Sequence, residues 1–398
     1  MLGGIVLAFG GILNMGLFLK VGSMFIVGVT GLSQEGWALP AVMSGLLALV
    51  LVYTVLGGMI SVVVTDYIQF VVLSFGLLLA TGLAVNQVGW EQIFTTVESE
   101  MGAAGFDPLV AEGTFGTEYV IWMAFLGLIG CAVWPTAVSR VLAMESTAAV
   151  KKQLTWSSIS FTIRFLIPYF WGICALVYFV TVEPELGGLF GVGPLKDDQQ
   201  VNALYAMPVF LGRILPAGLI GLVSAAMIAA FMSTHDSYLL CWSSVITQDV
   251  VAPCYGERLT AKTRVLLTRI FIVVIGIYIL AWGLLYEGGD DVWDYMAITG
   301  AIYFTGAFAV LAGGLYWKSA SSTGAFCAIL AGGTAVFGLE PLRVKLGWLL
   351  LTAAGQEPTR EAIDALLTSP RVGLASIGLT AVVFVLGSLL VPDRKNKR

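Results

Sequence analysis

The chain has 398 residues, of which 58% are hydrophobic and only 11% charged, against roughly 25% charged in ordinary soluble domains. Apolar runs of about 18 residues or more recur about ten times, and about 20 apolar residues let a helix cross a hydrocarbon core. The composition excludes a soluble fold and makes this a polytopic, all-α membrane protein with the lipid bilayer as its first partner; the net charge of -5 carries little weight, because such proteins sort charge by side.

Five scattered cysteines (Cys131, Cys174, Cys241, Cys254, Cys327) form no CxxC pair, so neither a disulfide framework nor a zinc site is indicated. A single histidine rules out a multi-His metal centre. No lysine- and arginine-rich tract points to nucleic acid. Nothing in the pattern calls for an organic cofactor.

In chain order, the first span runs from about Leu2 to Val29. It is too long for a signal-peptide core and lacks a basic leader. Its lone charge, Lys20, is expected to snorkel or to face other helices. Two spans follow, about Ala38 to Val64 and Tyr67 to Leu83, joined through YTVLGGMISVVVTDYIQF, where Gly57 and Gly58 allow close packing or a bend. Asp66 opens the third helix. A carboxylate there is favoured by the helix dipole, so capping and a role on an ion pathway are both open.

The loop from Asn86 to Thr117 holds Glu91, Glu98, Glu100, Asp107 and Glu112 and no basic residue. The fourth span, Tyr119 to Ala143, is interrupted by Gly127, Gly130 and Pro135. Proline frees backbone carbonyls, and a Gly/Pro-broken span points to a transporter binding site; a plain kink is the alternative. After Arg140, Lys151 and Lys152 comes the fifth span, Ser157 to Val182, with Arg164 and Pro168 inside it. An acidic, glycine-rich loop then reaches Asn202.

The sixth span, Ala217 to Asp249, organises the rest. At 100° per residue, Ala226, Ala230, Ser233, Thr234, Ser237, Cys241, Ser244 and Gln248 fall on one narrow face. Small side chains there let another backbone approach closely, while hydroxyls at bilayer depth can complete an oxygen cage for a bare cation. A packing seam and an ion site are both compatible with the spacing.

The remaining spans run Val265 to Tyr286, Val292 to Tyr316, Thr323 to about Leu339 and Val372 to Val391. An EGGDD turn precedes the second of these, and a polar, partly amphipathic loop precedes the last. Alternate loops sort the charges. Arg140, Lys151, Lys152, Arg258, Lys262, Arg264, Lys318, Arg394, Lys395, Lys397 and Arg398 share one side, and most carboxylates take the other, with Lys196 and a few basic residues between Arg343 and Arg371. The positive-inside rule makes the first side cytoplasmic, with both termini inside.

Several stretches resemble the sodium:solute symporter family: GGMISVVVTDYIQ, WPTAVSRVLAMES, LPAGLIGLVSAAMIAAFMSTHDSYLLCWSSVITQD, and GAFAVLAGGLYWKSASSTGAFCAILAGG. The likeness runs essentially from end to end. It implies a LeuT-type fold of two inverted repeats, with residues 1–86 the remainder of the first repeat, 118–316 the second, and 317–398 peripheral helices. It also implies sodium held by the Ala230 carbonyl and the Ser233 and Thr234 hydroxyls, with Asp66 tied to sodium coupling. Gly127, Gly130, Cys131, Trp134 and Pro135 would line the solute site. Family members have about three helices ahead of the one that Met1 begins, so the chain reads as N-terminally truncated, lacking the broken helix that completes the sodium cage.

The function expected is therefore sodium-coupled symport of a small organic solute across the plasma membrane, with no enzymatic step. The polar residues that sugar-transporting members use in the broken span are not present, which favours an organic acid, amino acid or vitamin-like solute. Two alternatives belong beside it. One is a membrane fragment, sensor or interaction module that keeps the fold without transporting. The other is an intramembrane hydrolase built on His235 and Asp236, disfavoured because His235 points away from Ser233 and Ser237 on the helical wheel and no GxSxG elbow exists.

Overall fold

Each long apolar run folds as helix, because a chain in lipid must satisfy its backbone polar groups internally. A computed structural model describes residues 1–33, 36–110, 115–190, 202–286 and 292–393, save the side chains of 58–61 and 257. Glu112, Lys196, the EGGDD turn and the basic residues Arg394, Lys395, Lys397 and Arg398 lie outside the described residues.

The helices are α1 (Leu2–Thr30), α2 (Ala38–Val88), α3 (Trp90–Met101), α4 (Thr117–Val133), α5 (Pro135–Leu142), α6 (Thr147–Thr181), α7 (Pro184–Leu189) and α8 (Ala206–Ile214). They continue with α9 (Ala217–Val245), α10 (Ala252–Tyr255), α11 (Ala261–Leu285), α12 (Val292–Tyr316), α13 (Ser322–Gly332), α14 (Glu340–Ala353), α15 (Arg360–Leu366) and α16 (Ser369–Leu390). Among the described residues nine stretches are long and apolar enough to cross a membrane. A tenth forms if Ser322–Gly338 and Glu340–Ala353, bent by 89°, count as one span.

α2 carries two of these spans, Ala38–Gly57 and Val62–Val88. Its helical turns are continuous, yet it is not straight. Tyr53 bonds to the Met232 carbonyl, and Gly76 lies against Ala226. Straight helix would put about 34 Å between residues 53 and 76, whereas six residues of α9 cover about 9 Å. The chain therefore folds back between the two limbs, in the region of Gly57, and both limbs pack on α9.

α1 threads the centre. It ends at Gly31, whose φ of 70° is the left-handed cap that only glycine adopts without strain, with Leu32 N–H returning to the Val27 carbonyl. At Gly11 the absence of a side chain admits the ring of the fully buried Trp242 from α9, which a Cβ would meet at 2.3 Å. Lys20 donates to the Tyr286 carbonyl at 2.8 Å, placing its charge on the C-terminal end of α11. It faces the end of another helix.

Two stretches expected as loops contain helix. Residues 86–117 hold amphipathic α3, and 340–370 hold α14 and α15. α14 and α15 are tied by Arg343 to Asp364 (3.0 Å) and Arg360 to Glu340 (2.6 Å).

Candidate functional site

The fourth span is broken where the sequence places Pro135. Trp134 has φ -68°, ψ 112°, the extended geometry that a following proline imposes, and α5 restarts with that proline in its first turn. The break swings Trp134 into a cage of Tyr238, Trp242 and Phe304, with ring centroids 5.6, 5.5 and 5.2 Å away. Gly127 and Cys131 lie on an exposed face, and a Cβ at Gly127 or Gly130 would meet nothing within 4 Å. Of the five residues expected to line a solute site, only Trp134 is thus drawn into an aromatic contact; Pro135 beside it is half-buried.

The short reach of α5 has a second effect. It places Arg140 over α2 and α9, where its guanidinium pairs with Asp66 (2.8 Å), donates to Ser237 Oγ (2.6 Å) and touches the Thr136 carbonyl (3.3 Å). Asp66 is therefore an ion-pair partner of the broken span. Its Oδ1 is buried without a hydrogen-bond partner, as is Gln69 Oε1 one turn on.

On α9 the three oxygens singled out from sequence converge. Ser233 Oγ and Thr234 Oγ1 both donate to the Ala230 carbonyl, at 3.1 and 3.0 Å. Such back-bonding is ordinary for helical hydroxyls, but here it draws three oxygen atoms together where Ala230 and Ser233 line a cavity of about 250 Å³ and Thr234 stands just outside that lining. Asp66, Gln69, Arg140, Arg164, Ala230 and Ser233 share that cavity. Neutral hydroxyl and carbonyl oxygens are the ligand type from which a sodium shell is built, and Asp66 lines the same cavity. The same face also packs: Ala226 meets Gly76, so the seam and the polar site succeed one another along one helix.

Sequence reasoning weighed Asp236 only as part of a hydrolase; the structure buries it fully, where it accepts from Tyr53 and from Ser237. It treated Arg140 as a loop cation, although its position five residues after Pro135 fixed it in the last turn of the broken span. His235 packs as expected from the wheel. It stacks on Phe231 at 3.8 Å, with Nδ1 at 3.0 Å from the Phe231 carbonyl, while Ser233 and Ser237 bond elsewhere.

The sodium:solute symporter family model matches residues 12–332. Similar proteins include a sodium/glucose cotransporter of Vibrio parahaemolyticus, 26% identical over 80% of this chain and 60% of the relative. A human sodium/myo-inositol cotransporter 2 is 24% identical over 72% and 45%, and a bovine sodium/mannose cotransporter 25% identical over 87% and 60%. The match thus spans about half of each of these relatives. Among solved structures, a Na+-coupled sialic acid symporter in a substrate-bound outward-open state superposes with a TM-score of 0.69 at 20% identity, covering 99% of this chain and 75% of that one. The architecture is accordingly the LeuT-type helical bundle. With four-fifths of its length matched by the family model, the chain belongs to the sodium:solute symporter family.

Proposed function

We propose that this chain works in sodium-coupled symport of a small organic solute by alternating access in the plasma membrane, with no enzymatic step. The observation that carries the reading is the meeting of the Ser233 and Thr234 hydroxyls on the Ala230 carbonyl, beside a cavity that Ala230 and Ser233 share with Asp66. Neutral hydroxyl and carbonyl ligands suit an ion that must bind and leave. One sodium charge entering a negative interior releases about 2.3 kcal/mol per 100 mV, which drives the solute with it. Asp66 sets the local field through Arg140. Trp134 and its neighbours at the break line the solute path together with Gly127, Gly130, Cys131 and Pro135. The two repeats are residues 1–86 and 118–316, with 317–398 peripheral, and the basic loops face the cytoplasm.

The named relatives carry glucose, myo-inositol and mannose with sodium. A sugar is not favoured here, because the broken span offers Gly130, Cys131 and Trp134 instead of polar hydroxyl-binding side chains. The relatives' activity also weighs against a sensor that keeps the fold alone.

The test is sodium-dependent stabilisation of the purified chain. An ion that binds only the folded state stabilises it by RT ln(1 + [L]/Kd), about 2.7 kcal/mol at a hundred times Kd. Sodium should raise the unfolding temperature where potassium does not. Ser233→Ala and Thr234→Ala should each raise the sodium concentration needed by roughly tenfold, about 1.4 kcal/mol of lost binding. Unchanged sodium dependence in both variants would sink the assignment.

A further inference from the structure

Arg164 is a cation within the bundle that none of the contacts described so far satisfies. It lies on α6, and lines the cavity beside Ala230 and Ser233, on the order of 20 Å from the start of α9. Its guanidinium sits 5.9 Å from the centroid of the Phe70 ring. Among the described residues it holds no ion pair and no hydrogen bond. Lys20 and Arg140, by contrast, each find an oxygen partner. Asp66 is the nearest counter-charge in the cavity, and Arg140 takes its Oδ2. An unpaired arginine within a membrane bundle is costly to keep and marks a binding function by default.

A second feature points the same way. Arg164 also lines a separate cleft of about 320 Å³ with Phe161, Phe165, Pro168, Tyr169 and Trp293. That cleft is almost wholly apolar and aromatic. Arg164 therefore stands between a polar cavity lined by Ala230 and Ser233 and an open aromatic cleft, with no other charge in its lining, whose Phe161, Phe165 and Tyr169 are exposed on the outer face of α6. A guanidinium presents a planar fork of donors matched to a carboxylate, and such charge-assisted pairs are about twice as strong as neutral ones.

We infer that Arg164 recognises the anionic group of the solute, and that the solute is a carboxylate whose apolar body occupies the aromatic cleft. The inference rests on the symport reading of the same cavity and narrows its solute class. Sodium at Ala230, Ser233 and Thr234 would then bring a positive charge in beside the bound anion. This accounts for a site whose fixed side chains (Asp66, Arg140, Arg164) carry one excess positive charge before the solute arrives.

The experiment is calorimetric titration of the purified 398-residue chain in nanodiscs of neutral lipid with sodium present. The probes are benzoate, phenylacetate and pyruvate, each against its neutral amide, with glucose and myo-inositol beside them. At least one acid should bind on the order of tenfold or more tighter than its amide, the difference of one charge-assisted pair. Arg164→Gln should abolish that preference, and Arg164→Lys should keep part of it. The acid–amide comparison in the unaltered chain needs no variant, and sodium-dependent stabilisation of Arg164→Gln shows whether it folds. Equal binding of acid and amide, binding of no carboxylate, tighter binding of a sugar, or a preference that survives Arg164→Gln would each overturn the inference. So would loss of acid binding in anionic lipid, which would assign Arg164 to a headgroup. Sodium stabilisation of the solute-free chain reads the symport proposal separately. If it persists while the acid preference fails, the anion inference falls alone; if it is absent, both fall.

Discussion

The carboxylates of the site differ in what holds them. Asp236 is fully buried and accepts from Tyr53 and Ser237, so it belongs to the frame of α2 on α9. Asp66 is partly exposed, and its pair with Arg140 has side-chain exposures of 25% and 38%. Half-exposed ion pairs contribute about 0–1 kcal/mol to stability. Asp66→Asn should therefore shift unfolding by no more than about 1 kcal/mol. It should nevertheless weaken apparent sodium affinity by roughly tenfold, because the charge facing the cavity is lost. Thermal unfolding followed with and without sodium reads both quantities. A large stability loss with sodium affinity intact would make Asp66 structural. That Ser233 and Thr234 share one small-residue face was legible from helical spacing; the ion roles expected of them and of Asp66 came from the family resemblance alone. The Tyr53–Asp236 bond was not legible, because its partners lie 183 positions apart and no periodicity links them.

At the level of helices, legibility followed length. Runs long enough to span a bilayer were readable one by one, and the break at Trp134 was readable because proline constrains the residue before it. The shorter helices α3, α14 and α15 escaped because their mixed polar composition resembles loop until a neighbour gives one face something to cover. The close seams between spans were also hidden. α13 meets α16 where Gly324 faces Ser388 and the Phe384 carbonyl, and a Cβ on Gly324 would approach them at 2.2 and 2.6 Å. Part of that wall is backbone and cannot turn aside. Gly324→Ala should cost about 1–3 kcal/mol, as overpacking does. Gly314→Ala, where a Cβ meets nothing within 4 Å, should be neutral or stabilising by up to about 1 kcal/mol through helix propensity. Unfolding of both variants in the same detergent is the measurement. Equal effects would mean that α13 and α16 do not pack at this seam.

Across the whole molecule, sidedness follows from which helix ends share a surface. Gly4 near the start of α1 lies against Val245 and Asp249 at the end of α9, and Gln248 bonds to Arg264 as the chain enters α11. The same end receives Arg258 and Lys262, and Lys318 returns to it after two crossings, through α11 and α12. At the opposite end, Gly28 of α1 meets Tyr205 and Pro208, beyond the α6–α7 junction that carries Glu183. α3 with Glu91, Glu98 and Glu100 follows the second limb of α2 out to that side. The charge sorting read from sequence thus coincides with a geometric sorting of helix ends that it did not use. Basic flanks are retained on the cytoplasmic face during insertion, whereas acidic ones have little influence. Lys262→Cys and Glu98→Cys, each in a background whose exposed Cys131 and Cys254 are replaced, should therefore differ towards a membrane-impermeant maleimide. On intact cells Glu98→Cys should label at once, and Lys262→Cys only after permeabilisation. The reverse pattern would invert the topology. The Ser233 hydroxyl would then open towards the sodium-rich side through the basic end of the bundle, and the direction of coupling proposed above would have to be reversed with it.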